Sequence, residues 1–300
     1  MESSEHAAPP FVRLAAHPLR WRLLRELAAG DYRVRELVDL VGQPQNLVSY
    51  HLRLLRDGGL VTARRSSFDA RDSYYHLDLE RCAHALTTTG AALHPALAPD
   101  LARAPGLDPD LDPDLDPDFD AALGSGPGSS VVSFLGASSS GPRLAVLFAC
   151  TGNSARSPIA EALLDHRTGG RVDVVSAGSH PRQRLHPDAV QVLRERYGID
   201  VANRRPRHLD AVAGRRFDYV ISLCDKVREV CPDFGGRTRR VHWSIPDPAA
   251  ATTISTAGGA TGVGTERAGH PAFARAAADI DTRIRHLLPQ LVHLPRGDSS

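Results

Sequence analysis

Residues 99 to 142 of this 300-residue chain cannot contribute to a folded core. They run "LDPDLDPDLDPDFD", with Pro109, Pro113 and Pro117 four apart and aspartates at every second position from Asp108 to Asp120, and then pass into "GSGPGSS" and "GASSSGP". Proline removes backbone donors and like charges repel, so the first part reads as an extended, semi-stiff spacer and the Gly/Ser tract as a flexible one. A disordered acidic and Gly/Ser linker over 98–142 therefore separates two units, 10–97 and 143–295, which on this reading act independently.

The linker also masks the charge of the rest. The formal net charge is +1, but the aspartate repeat holds seven of the 35 acidic residues, so the remainder is basic. That charge is almost all arginine, with Lys226 the single lysine, a bias that reads as base composition of the genome rather than mechanism. No apolar run approaches the roughly 18 to 20 residues of a membrane span, and the start "MESSEHAAPPF" lacks the charged-then-apolar pattern of a secretion signal. The expectation is a cytoplasmic protein with no membrane partner. Four cysteines, at 82, 150, 224 and 231, are too few for a disulfide framework and point instead to free, reactive thiols.

The first unit carries three helical patterns. "HPLRWRLLRELAAG" sets Leu19, Leu23 and Leu27 on one face behind Pro18 and stops at Gly30; "RVRELVDLVG" repeats the pattern with Val34, Leu37, Val38 and Val41. "QPQNLVSYHLRLLRDGGLV" turns Val48, Leu52 and Leu55 inward. "LVTARRS" and "SYYHLDL" then flank "SFDARD" as two strands and a turn. Three short helices and a hairpin are the order of an α+β winged helix-turn-helix. Gln45, Asn46, Ser49, Tyr50 and Arg53, opposite the apolar stripe of the third helix, are base-edge and phosphate hydrogen-bonders, and Arg64, Arg65 and Arg71 on the hairpin would flank a duplex backbone. The stretch resembles the arsenical-resistance repressor (ArsR) family, most specifically in "LVSYHLRLLRDGGLV", which implies a homodimer on a palindromic operator. Many members sense arsenite through a cysteine pair in the helix matching "RVRELVDLVG". This helix has none, and Cys82, past the hairpin, reads as packing.

In the second unit, strands "RLAVLFAC", "VDVVSAG", "FDYVISLC" and "RVHWSI" alternate with helices "SPIAEALLDH", "HPDAVQVLRERYG" and "HPAFARAAADIDTRIRHLL". Alternation of this kind makes a three-layer α/β domain with a parallel sheet, whose ligands bind at the carboxyl ends of strands. "CTGNSARS" lies at such an end. A loop between a strand and a helix N-terminus turns backbone N–H groups inward as an oxyanion nest, here Thr151, Gly152, Asn153, Ser154, Ala155, Arg156 and Ser157. Cys150 and Arg156 bracket it. Groups that hold an anion there also favour a thiolate, and the planar guanidinium gives an oxyanion two parallel hydrogen bonds. Ser157 is placed to hydrogen-bond the sulfur, and Asn153 to brace the loop.

"CTGNSARSPIAEALL" resembles the low-molecular-weight tyrosine phosphatase superfamily over residues 143 to 290, a superfamily of phosphatases and arsenate reductases. The resemblance implies a phosphate or arsenate ligand and a general acid from a late Asp-Pro, matched by Asp247-Pro248. It also implies, for thioredoxin-coupled reductases, two cysteines seven apart, matched by Cys224 and Cys231 in "SLCDKVREVC". "SAGSHPRQRLHPDA" has no aromatic to stack on phosphotyrosine. The family loop often has a further cysteine where Ala155 stands, which a relay through Cys150, Cys224 and Cys231 does not use. The expectation is an arsenate reductase fused to a DNA-binding regulator, served by a thioredoxin-like reductant and needing no organic cofactor or metal. A phosphatase whose second and third thiols protect Cys150, and an inactive anion sensor, are the alternatives. Asp225, Lys226, Arg228 and Glu229 make the stretch between the two cysteines polar, so it is expected to be exposed and cheap to unwind.

Overall fold

A computed structural model describes residues 8–94, 97, 143–235, 238–250 and 270–292. The linker expected over 98–142 lies outside the described residues. The first unit runs α1 (Pro10–Ala15), α2 (Pro18–Ala29), β1 (Tyr32–Arg33), α3 (Val34–Val41), α4 (Gln45–Asp57), β2 (Val61–Arg65), β3 (Ser73–Leu77) and α5 (Leu79–Leu93). The side chain of His17 caps α2 by accepting from the N–H of Leu19 at 3.2 Å, and Pro18 supplies the preset φ of a first helical residue. Leu23, Leu37, Val48, Leu52 and Leu55 are fully buried where α2, α3 and α4 meet, each contributing about 1.5–3 kcal/mol of transfer energy. β2 and β3 form an antiparallel hairpin, and β1 adds a third strand in the order β1-β3-β2. Helices α1 and α5 and the two-residue β1 are additions to the three helices and hairpin read from the sequence.

The second unit is a four-stranded, wholly parallel sheet, β4 (Ala145–Cys150), β5 (Asp173–Gly178), β6 (Tyr219–Ser222) and β7 (Arg239–His242), in the order β5-β4-β6-β7. Its helices are α6 (Arg156–Thr168), α7 (Pro187–Tyr197), α8 (Asp225–Val230) and α9 (His270–Val292), with α9 packed along α6 and α7. From β4 the chain goes to one side for β5 and to the other for β6. The carboxyl end of β4, at Cys150, is therefore the topological switch point where such folds bind ligands. No helix among the described residues is long and apolar enough to cross a membrane.

The two units touch, and the independence expected from the linker does not hold. Asp31, just past α2, is 2% exposed; it accepts from the N–H of Ser244 at 2.7 Å and from Arg283 Nη1 at 2.9 Å, while its own N–H donates to the carbonyl of His242 at 2.8 Å. Burial alone would raise the Asp31 carboxyl, but the Arg283 guanidinium beside it prevails and holds it below the ordinary value. Arg283 also pairs with Asp279 at 2.9 Å. A linker sets how far apart two units can drift; buried complementary charge sets whether they do.

Candidate active site

The loop after β4 is shaped by where its carbonyls go. Those of Cys150, Thr151, Gly152 and Ser154 accept from the N–H groups of Ser179, His180, Arg182 and His186, at 2.7 to 3.3 Å. A second loop, 179–186, thus ties down the outer side of the first and leaves its amides for the concave side. The close fit depends on Gly178: a Cβ there would lie 2.6 Å from the Thr151 carbonyl oxygen and 2.9 Å from both N and Cβ of Asn153. Asn153 takes a positive φ of 42°, which a short polar residue tolerates better than a bulky one. No side chain caps α6 at Ala155, so its first amides stay available to an anion.

Beneath the loop runs a directional chain of hydrogen bonds. Arg207 Nη2 lies 2.9 Å from Glu161 Oε1, and Ser176 donates to Glu161 at 2.5 Å. Asn153 Nδ2 donates to Ser176 at 2.8 Å and to Ser157 at 3.0 Å, and its Oδ1 accepts from the N–H of Arg207 at 2.6 Å. Because the Ser157 hydroxyl accepts from Asn153, its proton is free to point at Cys150 Sγ, 2.9 Å away. A hydroxyl so aimed stabilises a thiolate better than a thiol. Ser176, Glu161 and Arg207 escaped the sequence reading because they converge from β5, α6 and the loop before the 3₁₀ turn at 209–212. Ser176 and Glu161 are revealed by their burial and Arg207 by its bonds to Asn153 and Glu161, and the exposed Arg182, against Gly152, is a fourth residue of this kind.

On the open side, Arg156 is buried against the carbonyl of Ile245 at 3.1 Å and meets Asp247 at 3.4 Å. Asp247 is 46% exposed, so its carboxylate is open to solvent. Cys224 Sγ, itself buried, lies 3.3 Å from Thr151 Oγ1 of the loop. Cys231 is at the far end of α8, half buried; burial pushes its thiol up, partly offset by Arg240. All four cysteines are free thiols. The structure thus brings Cys150, Arg156, Asp247 and Cys224 together at the loop after β4, with Cys231 one helix away. Cys82, beside the carbonyl of Leu60 at 3.9 Å, is raised to about 11 by burial with help from Asp78, so it stays a thiol at neutral pH. A cavity of about 680 Å³ between the units, lined in part by Asp31, His76, Trp243 and Arg283, has none of the site's thiols in its walls.

The stretch between Cys224 and Cys231 is exposed at Lys226 and Glu229, as expected, but is tied down at Asp225 and Arg228. Asp225, the first residue of α8, is 3% exposed and collects five donors. His242 Nε2 at 3.1 Å and the Ser244 hydroxyl at 2.9 Å reach one oxygen; the Ser66 hydroxyl at 3.0 Å, the Ser67 N–H at 2.7 Å and the Ser67 hydroxyl at 3.1 Å reach the other. Burial pushes this carboxyl up, yet the bonds from His242, Ser67 and Ser244 outweigh it and hold it far below the usual range. Arg228 reaches Glu36 at 2.7 Å with its guanidinium over the Tyr74 ring, and Glu229 meets Arg33 at 3.2 Å. Lys226 is exposed.

In the first unit, Gln45, Asn46, Ser49, Tyr50 and Arg53 are all exposed on α4, opposite buried Val48, His51, Leu52 and Leu55. Arg65 and Arg71 are exposed as well. Arg64 is turned the other way: its guanidinium bonds the carbonyl of Ser244 and lies 3.6 Å from Asp279 of the second unit. Successive residues of a strand face opposite sides, so Arg64 and Arg65 could not both have faced a duplex.

Comparison with known proteins places both units. Residues 145–293 match the family model for low molecular weight phosphotyrosine protein phosphatase. The arsenate reductase of Halalkalibacterium halodurans is 37% identical over 106 residues, which is 35% of this chain and 75% of that protein. This chain belongs to the low-molecular-weight phosphotyrosine protein phosphatase family. Another relative, the arsenate reductase of Bacillus anthracis, is 38% identical over 104 residues, 35% of this chain and 76% of that protein. A solved thioredoxin-dependent arsenate reductase from Corynebacterium glutamicum aligns with 27% identity over 54% of this chain and 68% of that one, with a TM-score of 0.38. Residues 17–63 match the model for bacterial regulatory proteins of the arsR family, so a family phosphatase-type unit follows a helix-turn-helix in one chain.

Proposed function

We propose that this chain is an arsenate reductase joined to an ArsR-type operator-binding unit. The observation that carries the reading is the thiol arrangement: Cys224 lies against Thr151 of the Cys150 loop and Cys231 closes the helix that begins after it. A phosphatase needs only Cys150, Arg156 and Asp247.

Loop amides and Arg156 hold arsenate against the Cys150 sulfur, which attacks arsenic while Asp247 protonates the departing hydroxide to water. The Cys224 thiolate then attacks Cys150 Sγ. The sulfur–arsenic bond breaks with its electron pair going to arsenic, arsenite leaves, and a Cys150–Cys224 disulfide remains. Cys231 attacks Cys224, Cys150 departs as thiolate, and a thioredoxin-like dithiol reduces the Cys224–Cys231 bond. The wall 179–186 offers histidine and arginines rather than an aromatic ring, which suits a small oxyanion better than phosphotyrosine.

The exposed face of α4 supports operator recognition. Leu86 and Leu93 on α5, 55% and 80% exposed, give a second copy an apolar surface and so support a homodimer. Turnover of arsenate with thioredoxin and its reductase, run beside hydrolysis of an aryl phosphate, tests the reading. Arsenate-dependent consumption of reducing equivalents with slow aryl ester hydrolysis is expected; the reverse would make the chain a phosphatase.

A further inference from the structure

The helix between the relay cysteines is also the surface on which the hairpin of the first unit rests. α8 presents Asp225, Arg228 and Glu229, spaced i, i+3, i+4 and so on one face, to Ser66 and Ser67 at the hairpin tip, to Glu36 of α3 and to Arg33 of β1. Three of the five donors on Asp225 come from the hairpin, and Asp225 directly follows Cys224. The seven steps from Cys224 to Cys231 across the six-residue α8 span about 10 Å along the axis, whereas a disulfide needs Cα atoms within about 7 Å. Cys224 and Cys231 cannot bond while α8 is wound, and once it unwinds the three side chains no longer share a face.

We propose that the hairpin is a clamp on the relay: docked, it holds α8 wound with both thiols reduced, and formation of the Cys224–Cys231 disulfide releases it. The inference rests on the relay proposed above. Arsenate takes its two electrons when the Cys150–Cys224 bond forms, and attack of Cys231 on Cys224 then moves that oxidation to the Cys224–Cys231 bond while Cys150 leaves as thiolate. The coupling runs both ways, because whatever draws the hairpin off α8, a duplex contacting its arginines included, makes the relay easier to oxidise by the same factor. Arg64 loses its partners Ser244 and Asp279 in the released form.

The test uses the full chain carrying Cys150→Ala, so that Cys224 and Cys231 pair with each other, equilibrated in buffers of oxidised and reduced dithiothreitol. Alkylation and mass spectrometry give the disulfide fraction, and hydrogen exchange reads residues 61–77 and 34–41. Exchange in both segments is expected to rise on oxidation, together with that of 224–235. Adding Ser67→Ala and Arg228→Gln, which remove one bond to Asp225 and the bond to Glu36, is expected to shift the equilibrium about tenfold toward disulfide. A merely structural role would lower stability and leave that equilibrium where it was. A disulfide that forms with no change in 61–77 would overturn the clamp and spare the relay, whereas failure of any Cys224–Cys231 bond to form would overturn both.

Discussion

The loop around Cys150 and the helix between Cys224 and Cys231 solve opposite problems. Around Cys150 every bond that shapes the site comes from the same unit: 179–186 takes the carbonyls, Gly178 allows the approach, and the chain from Arg207 to Ser157 ends at the sulfur. Around α8 the bonds are divided between units, and the buried Asp225 carboxylate has more donors from the hairpin than from its own domain. A nucleophile has to be in place before substrate arrives, so its surroundings are closed and rigid. A relay has to move, so it is held by contacts that a second element can give up. On the proposed relay, the contrast gives the fused unit a part in keeping α8 wound.

The largest expected effect breaks the rigid side. Cys150→Ser removes the only atom in the loop that can be a thiolate, and arsenate turnover should fall by at least about a thousandfold in the thioredoxin-coupled assay while the circular dichroism spectrum is unchanged. Gly178→Ala is expected to cost about a hundredfold in kcat/KM, because its Cβ would push Thr151 and Asn153 out of line and a displacement of about 1 Å is worth that much. Wild-type kinetics in Gly178→Ala would show that the loop is softer than its hydrogen bonds imply.

The shared side gives a smaller effect with a definite pH signature. Asp225 has a depressed carboxyl in the folded chain, so it contributes stability fully above its unfolded value of about 3.9 and loses it only as pH falls toward the folded value. Asp225→Asn is therefore expected to lower stability by about 1–3 kcal/mol at pH 7, measured by urea unfolding, and the two proteins should converge as the pH is taken below about 4. A gap that widened in acid would mean that the carboxyl is protonated in the native protein.

Local signals made the rigid side readable. "CTGNSARS" between a strand and a helix fixes Cys150, Arg156 and the loop amides by adjacency alone, and the α2 to α4 stripes announce their buried faces by period. Helix α5 was hidden because "LERCAHALTTTGAAL" holds three threonines and Gly90 and buries no residue fully, so it has neither propensity nor a clean stripe. The docking of α8 was hidden for a different reason. Ser66 and Asp225 are far apart in the chain, no local period links them, and a polar run reads as solvated until its partner is known. Arg64 alone carried a usable hint, in the strand alternation that sets it against Arg65.

The central claim, that electrons pass from Cys231 through Cys224 to Cys150, is tested most directly by Cys231→Ser in a rapid-quench arsenate assay followed by peptide mapping. One equivalent of arsenite per chain should appear, after which the reaction stops with Cys150 bonded to Cys224. Continuous thioredoxin-driven turnover in that variant would contradict the account.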